Sequence, residues 1–338
     1  MKNTKRIIAF LMAAMMVLCL ASCGKTEKEP TKADLIDITF CLDWTPNTNH
    51  TGLYVAKEKG YYEEAGLNVT IIQPPEDGCV QICSTGEAQF AVKEQDGLAA
   101  ALLSDTPANV TAIAALIQHN TSGIISKKGA GMESAKGLEG NTYLTWDSPI
   151  ELAMMKNVVE ADGGKWDNVK VIPNTVTDEA QDVNHNPDHA IWVFYGWGAV
   201  NAQVNSIDTD FFFFKDINPV FDYYTPAIIG NNDFIKENPE VTKAFLEATK
   251  KGYEFAIENP EEAAQILIDS DETGALAESA DLVIESQKWL ASQYKAEVEQ
   301  WGYIDAARWD AFYAWLWNEG LISREFAPGE GFTNDYLS

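Results

Sequence analysis

Short apolar runs alternate with helix-like segments along most of this 338-residue chain, and this alternation restricts the fold more than any other feature. Strands that alternate with helices build α/β folds with mainly parallel sheets, because each helix returns the chain to the same edge of the sheet. The unbroken phenylalanine run at 211–214 predicts a strand buried on both faces. The pattern predicts eight strands, at residues 36–42, 68–72, 90–92, 110–117, 142–144, 170–172, 190–194 and 210–214.

Beyond residue 231 the pattern becomes helical. The sequence "NPE" occurs at 238–240 and again at 259–261. Each copy supplies a capping residue, a proline suited to the first helical position and an acid for the first turn. We therefore predict that helices begin at Pro239 and Pro260.

The first 22 residues have the pattern of a secretory signal peptide. Basic residues precede an uncharged run from Ile7 to Leu20, and small residues then lead to Cys23. This run is shorter than the ~20 residues that a membrane-spanning helix needs. The ending Leu-Ala-Ser-Cys resembles a lipobox, which implies cleavage before Cys23 and lipidation of its sulfur. An ordinary signal peptide with a coincidental cysteine is the alternative. Residues 23–36 are then the lipidated cysteine and a polar, flexible tether.

The remaining chain is long and strongly acidic. About 300 residues usually divide into two domains. Without the three basic residues of the signal peptide, 21 basic and 51 acidic side chains remain, a formal charge of −30. Such a surface repels nucleic acid and anionic membranes. We expect no nucleic-acid partner, and membrane contact only through the lipid.

The sequence carries no recognisable catalytic or metal-binding motif. It contains no GxSxG, Walker, HExxH or complete dinucleotide-binding pattern. Cys41, Cys79 and Cys83 lack the nearby ligands of a metal site, so they are expected to be buried thiols or to include one disulfide. The sequence therefore predicts no catalytic residue, no metal and no cofactor.

The segment "CLDWTPNTNHTGLYVA" at 41–56 contains a candidate ligand loop. Turns favour Pro and Asn, but a turn needs neither a tryptophan nor several different hydrogen-bonding side chains. The loop follows the first predicted strand, at an end where open α/β sheets bind ligands. Trp44 offers a flat face to an aromatic ring, and Asn47 can both donate and accept hydrogen bonds. A purely structural turn is the alternative.

Several motifs resemble one group of binding proteins. "GLYVAKEKGYYEEAGLNVTII" at 52–72, followed by "STGEAQFAV" at 84–92, resembles the opening of solute-binding proteins of bacterial ABC importers for sulfonates, nitrate, taurine and thiamine precursors. "LDWTPNTNHTGLYVA" at 42–56 and "DYYTPAIIGNNDFIKENPE" at 222–240 most closely resemble the thiamine-pyrimidine branch. That branch contains bacterial pyrimidine-binding proteins and the fungal enzyme that makes the same pyrimidine. The resemblance covers nearly all of residues 36–338.

The resemblance implies a type II periplasmic-binding-protein-like fold. Two α/β lobes, each a mainly parallel sheet flanked by helices, would enclose the ligand in a cleft. Lobe one would comprise residues 37–121 and 231–338, and lobe two residues 122–230. Crossover hinges would lie near 121–126 and 225–230.

The remaining site predictions combine the resemblance with positions that follow strands. "VKEQD" at 92–96 resembles the second ligand loop of the family and presents Glu94 and Gln95 beside Lys93. "TWDSPIE" at 145–151 leads from a strand into a helix, with Trp146 beside exposed amide donors. The other candidates are aromatic: Trp192 and Tyr195 at the end of a lobe-two strand, and Tyr223 and Tyr224 at the second crossover.

The resemblance implies a lipid-anchored solute-binding protein on the extracytoplasmic face of the cell membrane. Its ligand would be a small aromatic heterocycle, most closely a hydroxymethyl- or formylaminomethyl-aminopyrimidine. Riboflavin and an alkanesulfonate are alternatives, although anion sites favour Arg or Lys and these loops are acidic and aromatic. Its partners would be the permease and ATPase subunits of an ABC importer, and the protein would be a monomer.

An enzyme that synthesises the pyrimidine is the alternative from another class. In the fungal relatives a lysine carries pyridoxal phosphate, and a histidine four residues later is consumed. Lys93 lies near the position of that lysine, but Gly97 stands at the later position. The cysteine cluster of the fungal enzymes is also missing, since the sequence at 223–225 is "YYT". We therefore predict that the protein is not an enzyme.

Overall fold

The computed structural model describes residues 35–76 and 78–337, which contain two five-stranded sheets. The predicted signal peptide (1–22) and the predicted lipidation site, Cys23, lie outside these residues. The strands are β1 Ile36–Cys41, β2 Leu67–Ile72, β3 Phe90–Lys93, β4 Val110–Ala115, β5 Ser122–Lys127, β6 Thr142–Thr145, β7 Lys170–Pro173, β8 His189–Phe194, β9 Thr209–Phe213 and β10 Ala227–Asn231.

The two sheets have the same topology. Their strand orders are β2-β1-β3-β10-β4 and β7-β6-β8-β5-β9. In each sheet four strands run in one direction, and the strand by which the chain enters from the other sheet, β10 or β5, is antiparallel to both of its neighbours. The expected two-lobed α/β fold with mainly parallel sheets is therefore confirmed.

All eight predicted strands are present, with ends that differ by a few residues. The two additional strands are β5 and β10, in the segments predicted to be crossovers. Residues 227–230, which the predicted division assigned to lobe two, belong to strand β10 of the first sheet. The exact division of the chain into lobes stays a prediction.

The prediction for the phenylalanine run at 211–214 is wrong. Strand β9 lies at the edge of the second sheet and is only partly buried, and Phe214 begins a short helix instead of extending the strand. The rings of Phe211 and Phe213 pack against Tyr195, with centroid distances of 5.1 and 5.5 Å. The phenylalanines of the run pack against different residues, such as Tyr195 and Trp192, and the strand is not buried between two layers.

Helices accompany both sheets, and two of them begin at the predicted prolines. Among the described residues, no helix combines the length and the apolar character needed to cross a membrane. The α-helices are α1 Thr51–Glu58, α2 Tyr61–Glu64, α3 Cys79–Thr85, α4 Gln95–Leu102, α5 Pro149–Ala161, α6 Glu179–His185, α7 Val200–Val204, α8 Phe214–Ile217, α9 Asn232–Glu237, α10 Pro239–Glu258, α11 Pro260–Asp269, α12 Ala275–Glu278, α13 Ala280–Leu290 and α14 Ala306–Asn318. Shorter helical turns are Thr48–His50, Ala135–Leu138, Trp166–Asn168, Tyr195–Ala199 and Pro219–Phe221.

Helix α10 packs closely on the first sheet and on helix α1. Phe245 stacks on Phe90 with a centroid distance of 4.2 Å and on Tyr62 with a distance of 5.5 Å. Where α1 and α10 cross, each helix contributes a glycine, and a Cβ atom on Gly252 would overlap the backbone oxygen of Gly52. The two helices can approach this closely only because these positions lack side chains.

Two connections, residues 116–121 and 214–226, link the sheets, and a charged cluster joins them. His119 in the first connection contacts Asp222 in the second, with Nδ1 2.7 Å from Oδ2. Its Nε2 lies 2.8 Å from an oxygen of Glu297. The guanidinium group of Arg308 lies 3.8 Å from Asp222 and 3.6 Å from Glu297. Both connections are therefore tied to the C-terminal part of the chain.

Candidate functional site

A cavity of about 610 Å³ is lined by residues of both sheets and of both connections. Its wall includes the loops that follow β1, β3 and β6 and the end of β8, the edges where open α/β sheets bind ligands. Its volume is in the usual range for small-molecule sites. The aromatic residues of the wall are Trp44, Trp146, Trp192, Phe194, Trp197 and Tyr223, and the charged residues are Asp43, Lys93, Glu94, Asp96 and Glu179.

The loop after β1 is held by a partly buried hydrogen-bond network. The Asn47 side chain accepts from the backbone N–H of Asn49 at 2.9 Å and starts the turn Thr48–His50. Nδ1 of the buried His50 accepts from the Asn47 backbone at 3.3 Å, which leaves the proton on Nε2 to be donated to Asp43 at 2.7 Å. The Tyr253 hydroxyl donates to the backbone oxygen of Asn49 at 2.7 Å. The loop backbone is therefore fixed before any ligand binds.

Two exposed tryptophans stand in the cavity wall. Trp44, after β1, is 69% exposed, and Trp146, after β6, is 54% exposed. They come from different sheets, and the Trp146 ring lies 5.7 Å from that of the buried Trp192. Large aromatic side chains gain most when they are covered, so these indoles are suited to the faces of a flat ligand.

Carboxyl groups in the wall have shifted pKa values. Burial, followed by repulsion from Asp43 and Asp96, raises the pKa of Glu94 to about 7, against the opposing effect of Lys93. Burial also works against ionisation of Asp43, but the adjacent His50 more than offsets it and lowers the pKa of Asp43. Near neutral pH, Asp43 is therefore a fixed acceptor, whereas Glu94 can accept or donate.

Lys93 is engaged within the wall. Its ammonium group lies 2.8 Å from Oε2 of Glu94. Burial opposes the charge of Lys93, but the Glu94 carboxylate outweighs this effect and raises the pKa of Lys93. The lysine side chain occupies the space beside Gly97, where any Cβ atom would overlap it. The glycine thus allows the lysine to fold back onto Glu94.

Comparison with known proteins identifies the family. Residues 47–263, well over half of the chain, match the family model described as NMT1/THI5 like. The chain belongs to the NMT1/THI5-like family.

The relatives of this chain include binding proteins and synthases. It is 29% identical to the formylaminopyrimidine-binding protein of Halalkalibacterium halodurans, and the similarity covers 99% of each chain. It is 23% identical to the 4-amino-5-hydroxymethyl-2-methylpyrimidine phosphate synthase THI11 of Saccharomyces cerevisiae, over 69% of this chain and 70% of the yeast protein. Its fold is similar to that of the alkanesulfonate-binding protein SsuA of Xanthomonas axonopodis pv. citri, with a TM-score of 0.64 at 8% identity, over 92% of this chain and all of the other.

Six of the nine predicted ligand residues lie in the cavity wall. The residues in the wall are Trp44, Asn47, Glu94, Trp146, Trp192 and Tyr223. The predicted residues outside it are Gln95, Tyr195 and Tyr224.

The three outlying residues have structural contacts, and their positions do not support a ligand role. The buried Gln95 amide donates to the backbone oxygen of Trp309 at 2.9 Å and accepts from the backbone of Tyr224 at 3.0 Å. The hydroxyl of Tyr224 accepts from the backbone of Asp305 at 2.7 Å. Tyr195 packs its ring among the phenylalanines of β9. We leave these three out of the proposed site.

The amide donors beside Trp146 are not exposed to the ligand, contrary to the prediction. The backbone N–H groups of Trp146 and Ser148 donate to the buried carboxylate of Glu151. The sequence Ser148-x-x-Glu151 is a known helix-capping pattern, and the prediction did not take it into account.

Sequence reasoning missed several residues of the cavity wall. Asp43 directly precedes Trp44 after β1, so the rule that found Trp44 could also have found it. Trp197 lies in the turn Tyr195–Ala199 after β8, where the sequence offered several aromatics and no way to choose among them. Glu179 begins helix α6, and no motif marks it.

The three cysteines of the described chain are free and buried. The alternative of one disulfide among them is therefore wrong. Burial raises the pKa of Cys41 to about 12 and that of Cys79 to about 11, so both stay protonated at neutral pH. Within residues 35–76 and 78–337, no group of three His, Cys, Asp or Glu side chains could hold a metal ion.

Proposed function

We propose that this protein binds a small, flat, nitrogen-rich heterocycle outside the cell and delivers it to an ABC importer. The composition of the cavity wall carries this proposal. Exposed indoles from both sheets, Trp44 and Trp146, offer two flat faces. Four carboxyl groups and one ammonium group surround them, a balance that favours a ligand with hydrogen-bond donors or positive charge.

An aminopyrimidine fits this arrangement. Its ring presents two faces for stacking, its amino group donates hydrogen bonds, and its ring nitrogens accept them. Asp43 can accept from the amino group, and Glu94, with a pKa of about 7, can accept from it or donate to a ring nitrogen. The Asn47 side chain accepts from Asn49 and donates to the backbone oxygen of Thr45 at 3.0 Å, so one N–H and one lone pair of its amide remain for a ligand. A strongly anionic ligand would meet a wall in which carboxyl groups outnumber ammonium groups.

The similarity to other proteins narrows the ligand. The nearly full-length similarity to a formylaminopyrimidine-binding protein favours a formylaminomethyl-aminopyrimidine over the hydroxymethyl compound. The SsuA similarity concerns the fold alone, and the wall lacks the arginine that a sulfonate would favour. Riboflavin, another flat heterocycle, is the second compound to be tested.

Binding without catalysis is the activity that we propose. Lys93, the residue nearest to the lysine of the related enzymes, is paired with Glu94 at 2.8 Å and packed beside Gly97. A nucleophilic lysine must lose its proton, whereas this pairing raises the pKa of Lys93. Purified protein incubated with pyridoxal phosphate should develop no aldimine absorbance, and such a band would contradict this part of the proposal.

The location and partners that we propose depend on Cys23. A diacylated or triacylated cysteine would hold a monomer at the extracytoplasmic face of the membrane, close to the permease and ATPase subunits of its importer. Cell fractionation tests the anchor. The Cys23→Ala variant should move from the membrane fraction to the soluble fraction, and unchanged retention would contradict the proposal.

The ligand is tested by mass spectrometry and calorimetry. Freshly purified protein should release an aminopyrimidine on denaturation. In calorimetry, formylaminomethyl-aminopyrimidine should bind more tightly than the hydroxymethyl compound, and riboflavin and an alkanesulfonate should bind weakly. Glu94→Gln keeps the shape and removes the charge, so it should weaken aminopyrimidine binding by ~1.5–3 kcal/mol. Tighter binding of the sulfonate than of either pyrimidine would overturn the proposal.

A further inference from the structure

The loop that carries Trp146 contains a residue with an uncommon backbone conformation. Trp146 is 54% exposed, and the next residue, Asp147, has a φ of +62°. This left-handed conformation is uncommon for residues with a side chain. Aspartate adopts this region more readily than most residues, and the contacts around the loop select it here.

Glu151 provides these contacts from the first turn of helix α5. It is only 4% exposed, although it is an acidic residue. Its two carboxylate oxygens lie 3.0 and 3.1 Å from the backbone nitrogen of Trp146, and Oε2 accepts from the backbone of Ser148 at 3.2 Å. The loop backbone thus wraps around a single buried carboxylate.

Hydroxyl groups complete the environment of this carboxylate. The Thr145 hydroxyl donates to Oε2 of Glu151 at 3.0 Å, and the Tyr143 hydroxyl donates to Oε1. Oγ1 of Thr145 in turn accepts from the backbone of Asp147 at 2.8 Å. These partners are hydrogen-bond donors without positive charge. Burial of the carboxylate is tolerable because these partners donate hydrogen bonds to both of its oxygens and because the start of a helix favours negative charge.

We propose that Glu151 is a positioning residue that sets the Trp146 indole in the ligand cavity. Glu151 is not part of the cavity wall, so it acts on the ligand only through the loop. This inference rests on the proposed function, in which Trp146 covers one face of a flat heterocycle. Loss of the carboxylate would leave backbone donors unpaired, release Asp147 from its left-handed conformation and turn the indole away.

Glu151→Gln tests the proposal, because glutamine keeps the size but directs an amide N–H at one of the donors. The matched control is Glu160→Gln, which changes an exposed glutamate at the other end of helix α5. With 5-fluorotryptophan in the protein, the ¹⁹F resonance of Trp146 is assigned by its loss in Trp146→Phe. We expect this resonance to shift or broaden in Glu151→Gln and to stay in place in Glu160→Gln. An unchanged resonance in folded Glu151→Gln would overturn the proposal.

Calorimetry with formylaminomethyl-aminopyrimidine tests the effect on binding. We expect Glu151→Gln to bind about tenfold more weakly. If Glu151 acts through the indole, the double variant with Trp146→Ala should bind no more weakly than Trp146→Ala alone. Additive losses would show a different route and overturn the inference. If the unaltered protein binds no aminopyrimidine, the proposed ligand is wrong, and the ligand-free ¹⁹F measurement still decides whether Glu151 positions Trp146.

A second variant covers the case in which Glu151→Gln does not fold. Thr145→Val is nearly isosteric, and it removes one donor to Glu151 together with the acceptor for Asp147. It should displace the Trp146 resonance in the same direction, by a smaller amount. A Thr145→Val spectrum identical to that of the unaltered protein would contradict the proposal.

Discussion

The Trp44 side chain is kept in water at some cost. Its indole is 69% exposed, whereas the loop that carries it is held by His50, Asn47 and Tyr253. A rigid backbone with an uncovered aromatic ring is a preorganised binding surface, because little conformational freedom remains to be lost when a ligand covers the ring.

We expect Trp44→Ala to weaken aminopyrimidine binding by about 2–3 kcal/mol, or 30- to 150-fold. The estimate combines the stacking contribution with the apolar area that the ligand covers. Isothermal titration calorimetry measures the change, and an unchanged melting temperature shows that the fold is intact.

Trp317→Ala is the matched control for this substitution. Trp317 is also an exposed tryptophan, at 40%, but it lies on helix α14 outside the cavity wall. Its removal should leave the affinity unchanged. If Trp44→Ala binds the ligand like the unaltered protein, the loop after β1 is only a structural turn.

The sequence predicts which residues follow a strand, but it does not predict which way each side chain points. Glu94 and Gln95 are neighbours after β3, yet Glu94 lines the cavity and Gln95 is buried. Helix α4 begins at Gln95, and each step along a helix rotates the side chain by about 100°. Whether a side chain after the strand faces the cavity or the core therefore depends on the residue at which the helix begins.

The contact between helices α1 and α10 depends on two glycines. A Cβ atom on Gly252 would overlap the backbone oxygen of Gly52, and a Cβ atom on Gly52 would overlap the Tyr253 ring. Tyr253 also holds the loop after β1 through Asn49, so this helix contact supports the binding loop.

Gly252→Ala should therefore destabilise the protein, although alanine normally stabilises a helix by about 0.5–1 kcal/mol relative to glycine. Overpacking against a backbone oxygen should outweigh this gain and lower the free energy of unfolding by about 1–3 kcal/mol. Urea denaturation measures the difference.

The neighbouring exposed position supplies the control. Lys251→Ala alters the solvent side of the same helix turn and should change the free energy of unfolding by less than about 0.5 kcal/mol. A Gly252→Ala protein at least as stable as the original would show that the two helices can separate without cost.

The regular elements were predictable where local patterns decide them. Strands followed by helices, and helices that begin with proline, carry their own signals, as β1 and Pro239–Glu258 illustrate. Strands β5 and β10 do not, because each contains only a short apolar run around two isoleucines, next to a glycine. The partial burial of β9 could not be predicted for a related reason, since an edge strand and a central strand can have the same apolar run.

The cluster that joins the two connections makes the stability of the molecule depend on pH. The hydrogen bond that His119 donates to Asp222 is the largest effect that raises the pKa of His119, and Glu297 adds to it, while burial and Arg308 oppose it. A group with a raised pKa in the folded state stabilises the protein while it is protonated, and this contribution is lost as the pH rises through the folded-state pKa.

We expect the stabilisation by His119 to be complete below about pH 6.5, the ordinary histidine pKa, and to decline at higher pH. The free energy of unfolding should therefore exceed that of His119→Gln most at about pH 6 and by a smaller amount at about pH 9. Urea titrations at constant ionic strength measure both proteins, since salt screens such pairs. A difference that is constant over this range would contradict the prediction.

Ligand contacts on both sides of the cavity should draw the two sheets together. Only a ligand that binds the closed form more tightly can shift the equilibrium, and Trp44 and Trp146 provide contacts from opposite sheets. Small-angle scattering should give a smaller radius of gyration with saturating aminopyrimidine. If calorimetry shows binding but the scattering curves with and without ligand are identical, the prediction of closure is wrong.

The position of β10 between β3 and β4 affects the order in which the first sheet can form during synthesis. As the chain leaves the ribosome, β3 and β4 emerge before the whole second sheet, and β10 emerges after it. The other edge of β4 is also paired late, because Ala112 and Ala115 form bridges with Phe332 and Gly302 near the C-terminus. Until those late segments arrive, β4 has open edges that invite incorrect pairing. A nascent chain of this topology therefore cannot finish its first sheet early, and it stays unfinished until synthesis is nearly complete.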